Sequence, residues 1–146
     1  MTAHDRVVEA PEGSPERLQP PISAAAAPYW DAARERRLVL QRCTVCEEAI
    51  HFPREACPGC LGTDLEFVAA EGVAIVYACS TMPAPGNPGM AGRAPYVVAL
   101  VDLPEGVRML ANVVGEGALD VAVGDEVHVA WEPLADGRHL PVFVRS

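Results

Sequence analysis

The chain has 146 residues, half of them hydrophobic and only 5% aromatic, so it can bury the core of one domain. Its 11 basic residues, all arginine, face 20 acidic ones for a net charge of -9. That balance argues against a general grip on DNA or RNA, whose nonspecific affinity comes from neutralising phosphates with cations. No apolar run approaches the roughly 18 to 20 residues of a membrane span. Residues 1–19 lack the hydrophobic stretch of a signal peptide, so a soluble cytoplasmic protein is expected.

Residues 1–21 read as a disordered tail, because Pro11, Gly13, Pro15, Pro20 and Pro21 stand among polar and charged residues with almost nothing to bury. A short helix is expected over 28–37, with Pro28 in its first turn and Tyr29, Trp30, Ala33 and Arg37 at helical spacing. Asp31 and Glu35 toward its start and Arg34, Arg36 and Arg37 toward its end suit the helix dipole. Tyr29 and Trp30 either pack on the body of the protein or anchor a partner; packing is the ordinary role of such aromatics.

Four cysteines carry the strongest signal. Cys43 and Cys46 are separated by two residues, ten more follow, and Cys57 and Cys60 repeat the pair. Each pair makes a knuckle that points two sulfurs at one ion, and ten residues suffice for a strand out and back. The flanks 38–41 and 50–52 are strand-like, so the unit is a zinc ribbon with Cys43, Cys46, Cys57 and Cys60 as ligands. Disulfides are disfavoured in a reducing cytosol. Four thiolates leave zinc no open position, which makes the ion structural. Iron in a rubredoxin-like site is the alternative metal.

Beyond residue 72 the pattern turns to strands. Residues 73–81 alternate larger and smaller side chains, and 96–101 form a continuous apolar run. A turn follows at 103–106, with Pro104 second and Gly106 fourth. Val107, Met109, Ala111 and Val113 then share a face. In 126–132, Val127, Val129 and Trp131 are expected inward and Glu126, His128 and Glu132 outward. Asp136-Gly137 marks a hairpin before the last strand, 140–145. Five short strands in about 75 residues suggest a five-stranded OB-type barrel. The chain thus divides into a tail (1–21), a helix with its ribbon (22–68) and a barrel (69–146), a mainly β protein.

The segment 82–95 is too long and proline-rich for a hairpin turn, and it joins the first two barrel strands, where OB barrels place a binding loop. Met82 and Met90 give it an adaptable apolar side. Arg93 is the only cation between Arg54 and Arg108, and Arg108 and Asn112 should share a strand face. Together these could receive a phosphate or carboxylate, or form an ordinary solvated surface. Cys79 reads as a small buried hydrophobe and His51 as a ribbon surface residue, the ligand set being full. Gly115-Glu116-Gly117 is no dinucleotide fingerprint. No motif carries an enzyme mechanism.

The ordered series Tyr29-Trp30, Arg37 through Cys43, Cys46, Phe52-Pro53-Arg54, Cys57-Pro58 and Cys60 resembles the zinc-ribbon/OB-fold proteins associated with acyl-CoA enzymes. So do the later runs 95–101, 112–115, 123–127 and 140–143; the likeness covers 22–144. The resemblance implies a helix, a rubredoxin-like ribbon and an OB barrel. It further implies a non-catalytic scaffold subunit for a thiolase-fold enzyme (a thiolase, an acyltransferase or a steroid side-chain aldolase), or a pairing with a MaoC-type hydratase. Zinc would be structural, acyl-CoA would lie at the partner interface, and a homodimer within a hetero-oligomer is compatible with it. Two other functions compete: a free-standing acyl-CoA-binding protein, and an OB-fold nucleic-acid module, which lacks the usual basic, aromatic-studded groove.

Overall fold

The structure, a computed structural model, describes residues 5–146. It is mainly β, with one short helix. Helix α1 (Ala27–Arg34) carries Pro28 in its first turn and buries Tyr29, Trp30, Ala32 and Ala33 on one face. It ends at Glu35 and Arg36, where Arg36 takes a positive φ of 56° and turns the chain into the ribbon. The ribbon is a three-stranded antiparallel sheet in the order β2-β1-β3, from β1 (Val39–Cys43), β2 (Ala49–Ile50) and β3 (Leu65–Ala69). The strand β3 carries no clear signal in the sequence. Its sequence does not alternate cleanly, and its place is set by pairing with β1 from Val39↔Ala69 to Cys43↔Leu65.

The remaining strands are β4 (Val73–Met82), β5 (Tyr96–Asp102), β6 (Arg108–Val113), β7 (Glu126–Pro133) and β8 (His139–Arg145). They close into a barrel in the order β4-β5-β6-β8-β7. Four of the five junctions are antiparallel. The fifth is the parallel contact Val113↔Phe143 between β6 and β8, and β7 returns to β4 through Ala74↔Val127. This is the five-stranded OB topology. Residues of period two fill the interior: Val97, Ala99 and Val101 from β5, Met109 and Val113 from β6, and Val127, Val129 and Trp131 from β7 are all buried. In β4 the smaller face turns inward: Ala74 and Val76 are buried while Ile75 and Tyr77 are exposed. A bulge between Val76 and Ala78 bends that strand round the barrel.

The turns behave as their residues require. Gly106 (φ 101°) and Gly137 (φ 91°) occupy the left-handed positions of the 103–106 and 134–138 turns, each donating its amide back to a leucine carbonyl. The helix, the start of the ribbon and the barrel share one core, while Cys43, Ile50, Cys57 and Leu65 form a separate small cluster around the knuckles. Tyr29, Trp30, Leu38, Val39 and Leu40 belong to the same buried cluster as Val76, Met109, Trp131 and Phe143.

The tail expected to be disordered departs from that expectation. Among its described residues, Val7 bridges Trp131 in parallel; Val8 donates its amide to the Trp131 carbonyl and the Trp131 amide donates to Arg6, each at 2.8 Å. Composition shows that such a segment has no core of its own. It does not show that β7 offers it an open strand edge beyond its pairing with β4, and that edge supplies the missing partners.

Candidate functional site

The ribbon sheet holds the two cysteine knuckles face to face. The four sulfurs lie within 4.8 Å of one another. Cys43 Sγ is 3.6 Å from Cys60 Sγ, and Cys46 Sγ is 3.5 Å from Cys57 Sγ. These separations far exceed a disulfide bond of about 2.05 Å. They are close to the edge of about 3.8 Å that a tetrahedron needs when each sulfur sits about 2.3 Å from zinc. Backbone amides support the knuckles: Gly59 N–H donates to Cys57 Sγ and Gly62 N–H to Cys60 Sγ, both at 3.4 Å. The amides of Cys46 and Val45 point at Cys43 and hold its thiol down at about 7. Cys43 and Cys57 are buried, while Cys46 and Cys60 face solvent. The donor set therefore fits a tetrahedral metal ion and presents no free ligand position.

His51, expected on the ribbon surface, is instead largely covered. Its ring packs between Tyr29 and Phe52, with centroids 5.7 and 5.5 Å away. Burial pushes its pKa down to about 4, and its buried Nδ1 has no hydrogen-bond partner among the described residues. Tyr29 and Trp30 lie edge to face at 5.1 Å, buried in the core, and burial raises the Tyr29 phenol. Of the two roles open to them, the structure takes packing. Arg138, which attracted no notice in the sequence, stacks its guanidinium 4.7 Å over Trp30 and donates to Asp136 at 2.7 Å. Nothing in a turn sequence announces such a contact, because the tryptophan is more than 100 residues away.

The cations proposed to act together are separated. Arg108 forms a fork with Asp102, at 2.6 and 3.0 Å, and lies 3.4 Å over the Tyr77 ring, on the exposed outer wall. The Asp102 partner raises the Arg108 pKa, and Arg108 in turn holds the Asp102 carboxyl below its usual range. Asn112 does share the outer face of β6, but its side-chain amide donates to the Val97 carbonyl at 2.9 Å. Met82 ends β4, half-buried. Cys79 is also half-buried and packs against the barrel core.

Met90, Arg93 and Asn112, by contrast, meet in one cavity of about 320 Å³ between the 82–95 segment, the N-terminal arm and the barrel wall. The segment is ordered by a 3-10 turn at Pro88–Met90, which Asn87 caps by accepting from the Gly89 amide at 2.9 Å. A Cβ on Gly89 would fall 2.9 Å from the Leu18 amide nitrogen, so only glycine lets arm and segment close together. Glu132, expected on the outward face, is buried. It accepts from Arg93 at 2.8 Å and from both Nε and Nη2 of Arg17. The outward face of β7 is covered by the arm, which the alternation of β7 could not show.

A cysteine-cornered ribbon joined to an OB barrel through a shared core defines a zinc-ribbon/OB-fold protein. Family models agree on both halves: residues 30–66 match the ChsH2 rubredoxin-like zinc ribbon domain and 67–132 the ChsH2 C-terminal OB-fold domain. The chain belongs to this ChsH2 (DUF35) family. It is 38% identical to a solved chain described as an Ltp2-ChsH2(DUF35) aldolase, covering 87% of this chain and 98% of that one with a TM-score of 0.77. It is 32% identical to a DUF35 domain-containing scaffold protein of Methanocaldococcus jannaschii, over 73% of this chain and 77% of that protein. It is also 38% identical to a probable enoyl-CoA hydratase alpha subunit of Thermomonospora curvata over 87% of this chain, but spans only 39% of that relative's length. Among the described residues no helix is long and apolar enough to cross a membrane.

Proposed function

We propose that this protein is a non-catalytic accessory subunit that binds and stabilises a thiolase-like acyl-CoA enzyme, a side-chain-cleaving aldolase above all, and helps shape its acyl-CoA site. The observation that carries the reading is the likeness, over nearly the whole of that chain, to the ChsH2 chain of an Ltp2 aldolase. The chemistry of the residues supports it. Arg93 is engaged by Glu132, Arg108 by Asp102 and Asn112 by a backbone carbonyl, so each is committed to a contact within the chain. The metal centre is closed by four sulfurs. Zinc there would act as a structural ion, worth roughly 10 to 16 kcal/mol of folding free energy in comparable sites.

The surface also suits a platform. Val45 and Leu61 project from the two knuckles, and Ile75, Tyr77 and Leu110 from the outer barrel wall, all exposed. A hydratase partner is the second reading, favoured by the Thermomonospora curvata relative. Co-expression with a thiolase-fold aldolase and, separately, with a hydratase subunit from the same organism tests both: the partner should co-purify with this chain and be insoluble or inactive without it. Full activity of the isolated partner, or thioester turnover by this chain alone, overturns the scaffold role.

A further inference from the structure

The cavity beside Glu132 has a charge imbalance that the scaffold role leaves unused. Arg17 and Arg93 share one carboxylate, Glu132, and their side chains retain only 11%, 7% and 6% of their exposure. Two guanidinium groups against one carboxylate leave a desolvated positive charge. A buried charge is costly unless it is paired. Arg93 is otherwise occupied, donating to the carbonyls of Gly89 and Pro15 at 3.2 and 3.5 Å. Arg17 is not: among the described residues its Nη1 has only the Met90 thioether, a weak acceptor, at 3.4 Å. Arg17 and Met90 both line the cavity. The other carboxylate there is Glu9, which is exposed and so screened by solvent.

The rest of the lining is mostly apolar: Val8 and Pro11 from the arm, Pro95 and Val97 where β5 begins, Val114 and Leu119 beyond β6, with Tyr96 and Asn112 as its polar members. A volume near 320 Å³ is at the small end of ligand sites. It has room for a chain of modest length and none for a nucleotide-bearing carrier.

We propose that this cavity binds a small apolar carboxylate, with its head on Arg17 and its chain along the β5–β6 end of the barrel. Residues 8–17 of the arm form the outer wall, so the arm roofs the site. The proposal is independent of any partner enzyme and is tested on the full, metal-loaded chain.

Octanoate is the probe, 1-octanol its uncharged counterpart, and the Met90 methyl resonance in a methionine-labelled sample the local reporter. Octanoate should shift that resonance and saturate, with 1-octanol binding about tenfold more weakly or worse. R17Q and R93Q each bring the cluster to neutrality and should weaken octanoate by a similar factor, whereas E132Q adds to the excess charge and should tighten it. R93Q keeps the Arg17–Glu132 pair that holds the arm, which separates loss of charge from loss of the roof. An unmoved Met90 methyl, equal affinity for octanoate and octanol, or R93Q binding octanoate as the parent does, would overturn the proposal.

Discussion

His51 has a neutral imidazole wedged between Tyr29 and Phe52, and its folded-state pKa of about 4 lies well below the ordinary value of 6.5. Below pH 6.5 the unfolded chain takes up a proton that the folded chain refuses, so stability falls as the pH drops from 6.5 toward 4. A gap of this size corresponds to about 3 kcal/mol by the lower end of that window. H51F keeps a ring in the same aromatic cluster and removes the titration. Its unfolding free energy, measured by urea titration across that window, should lose less with acid than the parent's. Parallel curves for the two proteins would show that His51 is not as covered as its packing indicates.

At the scale of elements, the arm is the piece whose order depends most on the rest of the fold. It is fixed by two backbone hydrogen bonds at Trp131, by the Arg17–Glu132 pair, and by close passage over Gly89. Removing residues 1–19 takes away these contacts and uncovers Glu132, which keeps Arg93 as its partner. Because the Glu132–Arg93 pair remains, the cost should be modest, about 1–3 kcal/mol. The local signature should be sharper. The Trp131 amide loses its acceptor on Arg6, so its hydrogen exchange should accelerate while the amides inside β5 and β6 stay protected. Unchanged protection at Trp131 would mean that something other than the arm covers this edge.

For the whole molecule, the decisive feature is the continuity of the core. Residues of α1 and β1 sit in the same buried cluster as the barrel wall, and α1 also touches the last hairpin, where Arg34 Nη1 donates to the Asp136 carbonyl at 2.9 Å. Loss of the metal should therefore reach the barrel as well as the ribbon. C57S, or chelation of the metal, is expected to lower the melting temperature of the entire chain and its solubility, with Trp30 and Trp131 fluorescence changing together. An unchanged melting curve would remove the metal from the structural account. A colourless protein containing zinc by elemental analysis would separate zinc from a rubredoxin-like iron.

The order of residues suffices for whatever depends on local spacing. Two cysteine pairs ten residues apart specify a tetrahedral sulfur cage, period-two alternation specifies the inward faces of β6 and β7, and Leu103 to Gly106 specifies a turn. These signals live within one turn or one strand, so they survive without knowledge of the neighbours. What lies on the outer faces depends on how the chain closes in space. It buried Glu132 under the arm, set Arg108 on Tyr77 away from Arg93, and slid Arg138 over Trp30. Periodicity says which way a side chain points. It cannot say which distant segment arrives to cover it, because that contact is paid for by the closing of the whole chain and leaves no mark in the residues nearby.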